Sequence, residues 1–131
     1  MIRGARAALA AAALTAACVS ERPGPVDPDS GADCVVPVGL GGALVPISDF
    51  RFIPDTIRVP AGSRVAWVNC DAAPIEPHTA TADDGGWDSG LLAQPVGAAA
   101  GGSFARAFEE PGAFGYHCAT HPFMTGVVLV E

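Results

Sequence analysis

Glycine and proline interrupt this chain too often for long helices to fit. Together they supply 28 of the 131 residues, and a chain broken at such short intervals favours strands joined by turns. Pro60-Ala61-Gly62-Ser63, Asp83-Asp84-Gly85-Gly86 and Glu110-Pro111-Gly112 are turn sequences, and Gly97 to Gly102 is a Gly/Ala-rich loop. The runs between them have strand character. Val45 to Phe52 carries Val45, Ile47, Phe50 and Phe52, and Ile57 and Val59 resume after Pro54-Asp55. Arg64 to Asn69 alternates, with Val65, Trp67 and Asn69 on one side. Phe104 to Phe108 is a further candidate strand. In the next, Phe114, Tyr116 and Cys118 share one face, and Gly115 and His117 the other. Val127 to Val130 closes the chain as a buried strand. The expectation is an all-β fold, an antiparallel β-sandwich.

The first part of the chain reads differently. Met1 to Arg6 carries two arginines, and Ala7 to Ala17 is almost wholly apolar but too short for a stable membrane span. Residues 1–17 are therefore expected to be an export signal. Leu14-Thr15-Ala16-Ala17-Cys18 resembles a bacterial lipobox, although Leu14 stands one position further from the cysteine than the usual pattern. Lipidation of Cys18 would anchor the protein to a membrane; the alternative is ordinary cleavage nearby. Glu21 to Asp33 is rich in Pro, Gly and Asp and reads as a flexible tether. The division expected is thus signal 1–17, tether and N-terminal segment 18–44, and domain 45–131.

Charge and cysteine usage fit export. All seven basic residues are arginines, against 14 acidic ones. From Cys18 onward five arginines remain, giving a net charge of −9. Without clustered basic charge, nucleic acid is not an expected partner. With Cys18 lipidated and Cys118 in a metal-like motif, Cys34 and Cys70 remain to pair, as an exported domain permits. Two separate buried thiols are the alternative.

The chemistry is concentrated in Cys118-Ala119-Thr120-His121-Pro122-Phe123-Met124, a Cys-x2-His-x2-Met motif between two strands. A tight loop there can turn a thiolate, an imidazole and a thioether toward one point. A second imidazole must come from His78 or His117, since the chain has three histidines. His117, next to Cys118 on a strand, faces the opposite way, which leaves His78. Two imidazoles, one thiolate and a distant thioether suit copper, because soft sulfur favours Cu(I) while imidazole accepts both oxidation states. The expected metal ligands are His78, Cys118, His121 and Met124. Taken singly, each has a plainer reading: Met124 as core packing, the histidines as loop residues, Cys118 as a buried thiol. His117 keeps the plain reading, as an exposed strand residue.

On these residues the sequence resembles the plastocyanin/amicyanin family of cupredoxins, nearest to the amicyanin and halocyanin types, over Val45 to Glu131. The matching segments are Val65-Ala66-Trp67-Val68-Asn69 after a Gly turn, His78, Trp87-Asp88-Ser89-Gly90, Pro111-Gly112-Ala113-Phe114-Gly115-Tyr116-His117-Cys118, and His121-Pro122-Phe123-Met124-Thr125-Gly126. The resemblance implies an eight-stranded Greek-key β-sandwich with type 1 copper at one end. It also implies an electron port at the His121 position, ringed by Pro122, Phe123 and Pro74 or Pro77. There are two departures. Family members often carry Asn after the first His ligand as a brace between ligand loops; here Thr79 stands there, so a weaker or differently built brace is expected. The segment from Asn69 to His78 is also longer than in amicyanin-type proteins and contains Cys70.

The function expected is a monomeric electron shuttle outside the cytoplasm, docking transiently on protein partners that present a basic patch. The competing expectation is copper storage or delivery, which needs exchangeable, often Met- or His-rich ligands; Met1 and Met124 are the only methionines. A copper enzyme needs further histidines, and only His117 is left over. Zinc is a poor match, because Met is not one of its usual ligands.

Overall fold

A computed structural model describes residues 34–71 and 76–131. Eight strands run through them: β1 Ala43–Ser48, β2 Arg51–Phe52, β3 Thr56–Val59, β4 Ser63–Asn69, β5 Thr81–Ala82, β6 Ser103–Phe108, β7 Gly112–His117 and β8 Thr125–Val130. No helix occurs among the described residues. The strands form two four-stranded sheets, ordered β2-β1-β4-β6 and β3-β8-β7-β5. The all-β sandwich follows as expected. The expected signal and tether, and the lipidation of Cys18, lie outside the described residues.

Two expectations need correction. The sheets are mixed rather than antiparallel: β1 runs parallel to β4, with Ile47 opposite Asn69, and β3 runs parallel to β8, with Val59 opposite Val130. Parallel neighbours need a crossover connection, and here the chain leaves the first sheet after β2, lays β3 into the second, and returns as β4. Alternating hydrophobicity reports which face is buried, not the direction of the neighbouring strand. Second, Val45 to Phe52 is not one strand. It folds into a hairpin, with Ile47 opposite Phe52 and Ser48 opposite Arg51. The two turn residues, Asp49 and Phe50, have φ of 51° and 56°. A two-residue hairpin turn of this kind usually takes Asn-Gly or Asp-Gly, so Asp49-Phe50 carries little sequence signal.

The core sits between the sheets. β4 is central, and Val65 to Asn69 are all buried. Val45, Ile47, Phe52, Val59, Phe108, Tyr116, Val128 and Val130 close around it. Trp67 is fully buried, with its ring centroid 5.3 Å from Tyr116 and 5.1 Å from Trp87. Burying one large apolar side chain contributes about 1.5–3 kcal/mol, so this cluster is the main source of stability. Tyr116 lies directly over Gly126 on the neighbouring strand, where a Cβ would run into its ring. Cys34 and Cys70 form a disulfide, as the cysteine count led one to expect. It ties the segment before β1 to the residue that follows β4.

Candidate metal centre

The carboxyl ends of β1, β4 and β7 meet at one end of the sandwich, and the chemically active side chains lie there. β7 ends at His117, and the chain turns through Cys118 to Met124 before β8 begins. This turn is closed by its own backbone. The Cys118 N–H donates to the Met124 carbonyl at 3.0 Å, the His121 N–H to the Cys118 carbonyl at 3.1 Å, and the Met124 N–H to the His121 carbonyl at 2.8 Å. The strand pairing Tyr116–Gly126 and His117–Thr125 holds its base. Cys118 and His121 are thereby aimed inward, and Met124 is buried in the same turn.

His78 comes from outside this loop. It exchanges backbone hydrogen bonds with Leu92, His78 N–H to Leu92 O at 3.2 Å and the reverse at 2.7 Å. Its ring is fully buried. Nδ1 of His78 lies 3.8 Å from Cys118 Sγ, and Nδ1 of His121 lies 3.6 Å from the same sulfur. The donor atoms of the three residues all fall within 4.8 Å of one another. An ion about 2.0–2.3 Å from each of two such donors would leave them about 3.5 Å apart, which is the sulfur–nitrogen spacing seen. One thiol and two imidazoles so placed form a metal-binding donor set of the soft, redox-compatible kind.

The electrostatics favour the thiolate. Burial pushes the Cys118 thiol up, but hydrogen bonds outweigh it and bring the pKa down from 9.0 to about 6. The largest come from Thr120 Oγ1 at 3.2 Å and the Thr79 N–H at 3.3 Å. Thr79 also answers the expectation of a differently built brace. Its hydroxyl accepts the Ala119 N–H at 2.7 Å, joining the His78 segment to the Cys118 loop. The two segments are therefore braced, by a hydroxyl in the position where family members often carry an amide.

His117 points away, as expected, and its Nδ1 pairs with Asp83 at 2.7 Å on the outer face. At the rim, the His121 side chain is 13% exposed, with Glu76 3.4 Å away. Phe123 is 72% exposed beside it, Pro122 is exposed, and Pro77 is half-buried. Pro74, named from the sequence as a possible member of this apolar ring, lies outside the described residues. Two residues escaped sequence reasoning. Phe50 packs its edge on both imidazoles, with centroids 5.4 Å from His78 and 5.0 Å from His121. Asp71, also buried, lies 2.7 Å from His78 Nε2. The one available signal was the extra length between Asn69 and His78.

Comparison with known proteins covers the whole sandwich. The profile of copper-binding proteins of the plastocyanin/azurin family matches residues 43–131. The chain is 30% identical over 126 residues to the amicyanin-alpha of Methylorubrum extorquens, spanning 95% of this chain and 94% of that one. A purple cupredoxin from Nitrosopumilus maritimus superposes with a TM-score of 0.56 at 26% identity, covering 68% of this chain and 99% of the other. A copper-containing nitrite reductase from Thermus scotoductus gives a TM-score of 0.59 at 25% identity. That match takes in 77% of this chain but 24% of the reductase.

Proposed function

The chain belongs to the plastocyanin/azurin family of copper-binding proteins, and from that premise we propose that it is a type 1 copper protein carrying single electrons between protein partners outside the cytoplasm. Copper is its cofactor, and the ligand set proposed is His78, Cys118 and His121 with Met124 as the weak axial donor. The observation that carries the reading is the placement of Cys118 Sγ between two imidazole nitrogens, 3.8 and 3.6 Å away, at a largely buried point.

Copper supplies the one-electron step between Cu(II) and Cu(I). The chain supplies a pocket that holds nearly the same shape for both charges. His78 is fixed by its backbone pairing with Leu92, and Cys118 and His121 by the backbone bonds of their own loop. Thr79 ties the two together. A site held in this way favours small rearrangement on electron arrival. The partly exposed edge of His121, flanked by Phe123, is the proposed port. The adjacent Glu76 and the mature charge of −9 support a partner with a basic docking patch. A small, transient contact suits a carrier that must release its partner.

Residence outside the cytoplasm is proposed on the signal-like residues 1–17 and on the Cys34–Cys70 disulfide, a bond typical of oxidising compartments. Anchoring by a lipidated Cys18, and a monomeric state, complete the proposal. Full burial of His78 and Cys118 argues against the alternative of copper storage or delivery, which needs ligands that exchange. The remaining histidine, His117, is engaged with Asp83 on the far face, which supports a carrier rather than an enzyme.

The test is an optical spectrum of the copper-loaded chain with and without reductant. An intense visible band that reductant removes and reoxidation restores is expected. A pale copper complex lacking that band would refute the proposal.

A further inference from the structure

Asp71 is 2% exposed, and a carboxylate is rarely buried to that extent unless it is paired. Both of its oxygens are used. Oδ2 lies 2.7 Å from Nε2 of His78, and Oδ1 accepts the Asp49 N–H at 2.6 Å. Its own N–H donates to Asn69 Oδ1 at 3.0 Å, and Asn69 Nδ2 donates to the Leu92 carbonyl at 2.9 Å. The Asp71 backbone is thus tied through Asn69 to the same Leu92 segment that pairs with the His78 backbone.

We propose that Asp71 is a positioning residue of the metal centre, fixing the His78 ring and the Asp49–Phe50 turn with one carboxylate and biasing bound copper toward its oxidised state. The inference rests on the copper reading given above.

The tautomer follows from hydrogen-bond chemistry. An acceptor-only carboxylate at Nε2 requires the ring proton to sit there, which leaves Nδ1 with a free lone pair. Nδ1 is the nitrogen that faces Cys118 Sγ. A carboxylate on the outer nitrogen of a ligating imidazole also makes that imidazole a stronger donor, and removing such a partner typically costs 10–100-fold in metal affinity or activity. Added negative charge behind the ligand stabilises the dication more than the monocation. In a buried site that effect is poorly screened. The other acid at the centre, Glu76 beside His121, has its side chain 76% exposed and is well screened.

The second oxygen explains an otherwise costly feature. Phe50 has φ of 56°, a region that bulky side chains rarely adopt. The bond from the Asp49 N–H to Asp71 holds the turn in that shape. The consequence is that the Phe50 ring stands edge-on to both imidazoles, at interplanar angles of 83° and 84°. One side chain therefore sets the orientation of a ligand and seats the aromatic ring that covers it.

The experiment compares the full copper-loaded chain with Asp71→Asn and Asp71→Glu. Asn keeps the shape but removes the charge, and it cannot accept both hydrogen bonds with its two ends. At a fixed ambient potential, Asp71→Asn is expected to lower the Cu(II):Cu(I) ratio at least tenfold, a rise in midpoint of about 59 mV or more, with the visible band retained. Asp71→Glu should recover more than half of that shift. A folded, blue Asp71→Asn chain whose ratio moves less than twofold overturns the proposal. Should the Asn chain fail to fold, nitrogen-resolved NMR of the reduced wild-type chain decides. A slowly exchanging proton on His78 Nε2 supports the proposal, and an unprotonated Nε2 overturns it. A wild-type chain without the visible band refutes the copper reading itself, an outcome distinct from a blue wild type with an indifferent Asp71.

Discussion

His121 reaches Cys118 from three residues along the chain, whereas His78 arrives from 40 residues away. The first is delivered by a self-contained loop whose backbone bonds all fall between Cys118 and Met124. The second depends on four separate pieces: Asp71, Leu92, Thr79 and the Asp49–Phe50 turn. A local loop can specify donor positions by spacing alone. A distributed arm can do so only if every piece is independently held, and here the holding is done by buried hydrogen bonds and a disulfide. Losing a donor from the loop should therefore abolish the centre's chemistry outright, whereas changes in the arm should tune the centre or lower stability and leave its visible band in place.

Substitution within the loop should have the largest effect. Cys118→Ser is expected to abolish the visible band completely while leaving the β-sandwich folded, as followed by absorbance and far-ultraviolet circular dichroism. A retained band would break the distinction at its first point.

Cys118 is also where loop and arm meet, since Thr120 and His121 reach it from one side and Thr79 and His78 from the other. Folding lowers its thiol from 9.0 to about 6. Between those values the unfolded chain holds a proton that the folded chain has released, so stability should rise with pH. In the metal-free protein the gain should grow from pH 6 to pH 9 and disappear as pH falls through 6. Urea melts of metal-free wild type and Cys118→Ala at several pH values would separate this slope from that of other groups; equal slopes would contradict it.

Removing the Cys34–Cys70 bridge by a double Cys→Ala change tests the arm. A loop of 36 residues implies a loss of about 2–4 kcal/mol. The loss should appear as a lower midpoint of chemical denaturation, with the blue band of the folded fraction preserved.

At the base of the loop, Gly126→Ala places a methyl against Tyr116. A cost of about 1–3 kcal/mol is expected from overpacking, read from thermal melts; an unchanged melting temperature would contradict it. Smallest is Thr79→Val, which leaves the Ala119 N–H without its acceptor. It should lower stability by about 1–2 kcal/mol and speed copper loss to a chelator, since the junction of loop and arm is loosened.

The same contrast explains what could be read from the sequence. Cys118 and His121 announce themselves because a turn between two strands translates spacing directly into proximity. His78 was found by elimination, with His117 placed on the opposite face by strand alternation. The alternation of β7 and β8 and the turn at Pro60–Ser63 were equally legible. Phe50 and Asp71 were not. A hairpin turn at Asp49-Phe50 contradicts local preference, and only the bond to Asp71 rationalises it. Asp71 looks in sequence like any loop aspartate; its burial depends on an Asn69 side chain and a Leu92 carbonyl that are distant or unmarked. The parallel pairings β1–β4 and β3–β8 were hidden for a related reason, because they depend on which sheet the chain enters after β2.

The claim on which the rest depends is that one sulfur and two imidazole nitrogens hold the same copper ion. X-ray absorption at the copper edge of the oxidised, loaded chain measures this directly. One short copper–sulfur bond together with the scattering pattern of two imidazoles is expected. A first shell of nitrogen and oxygen alone, with no sulfur, would contradict it.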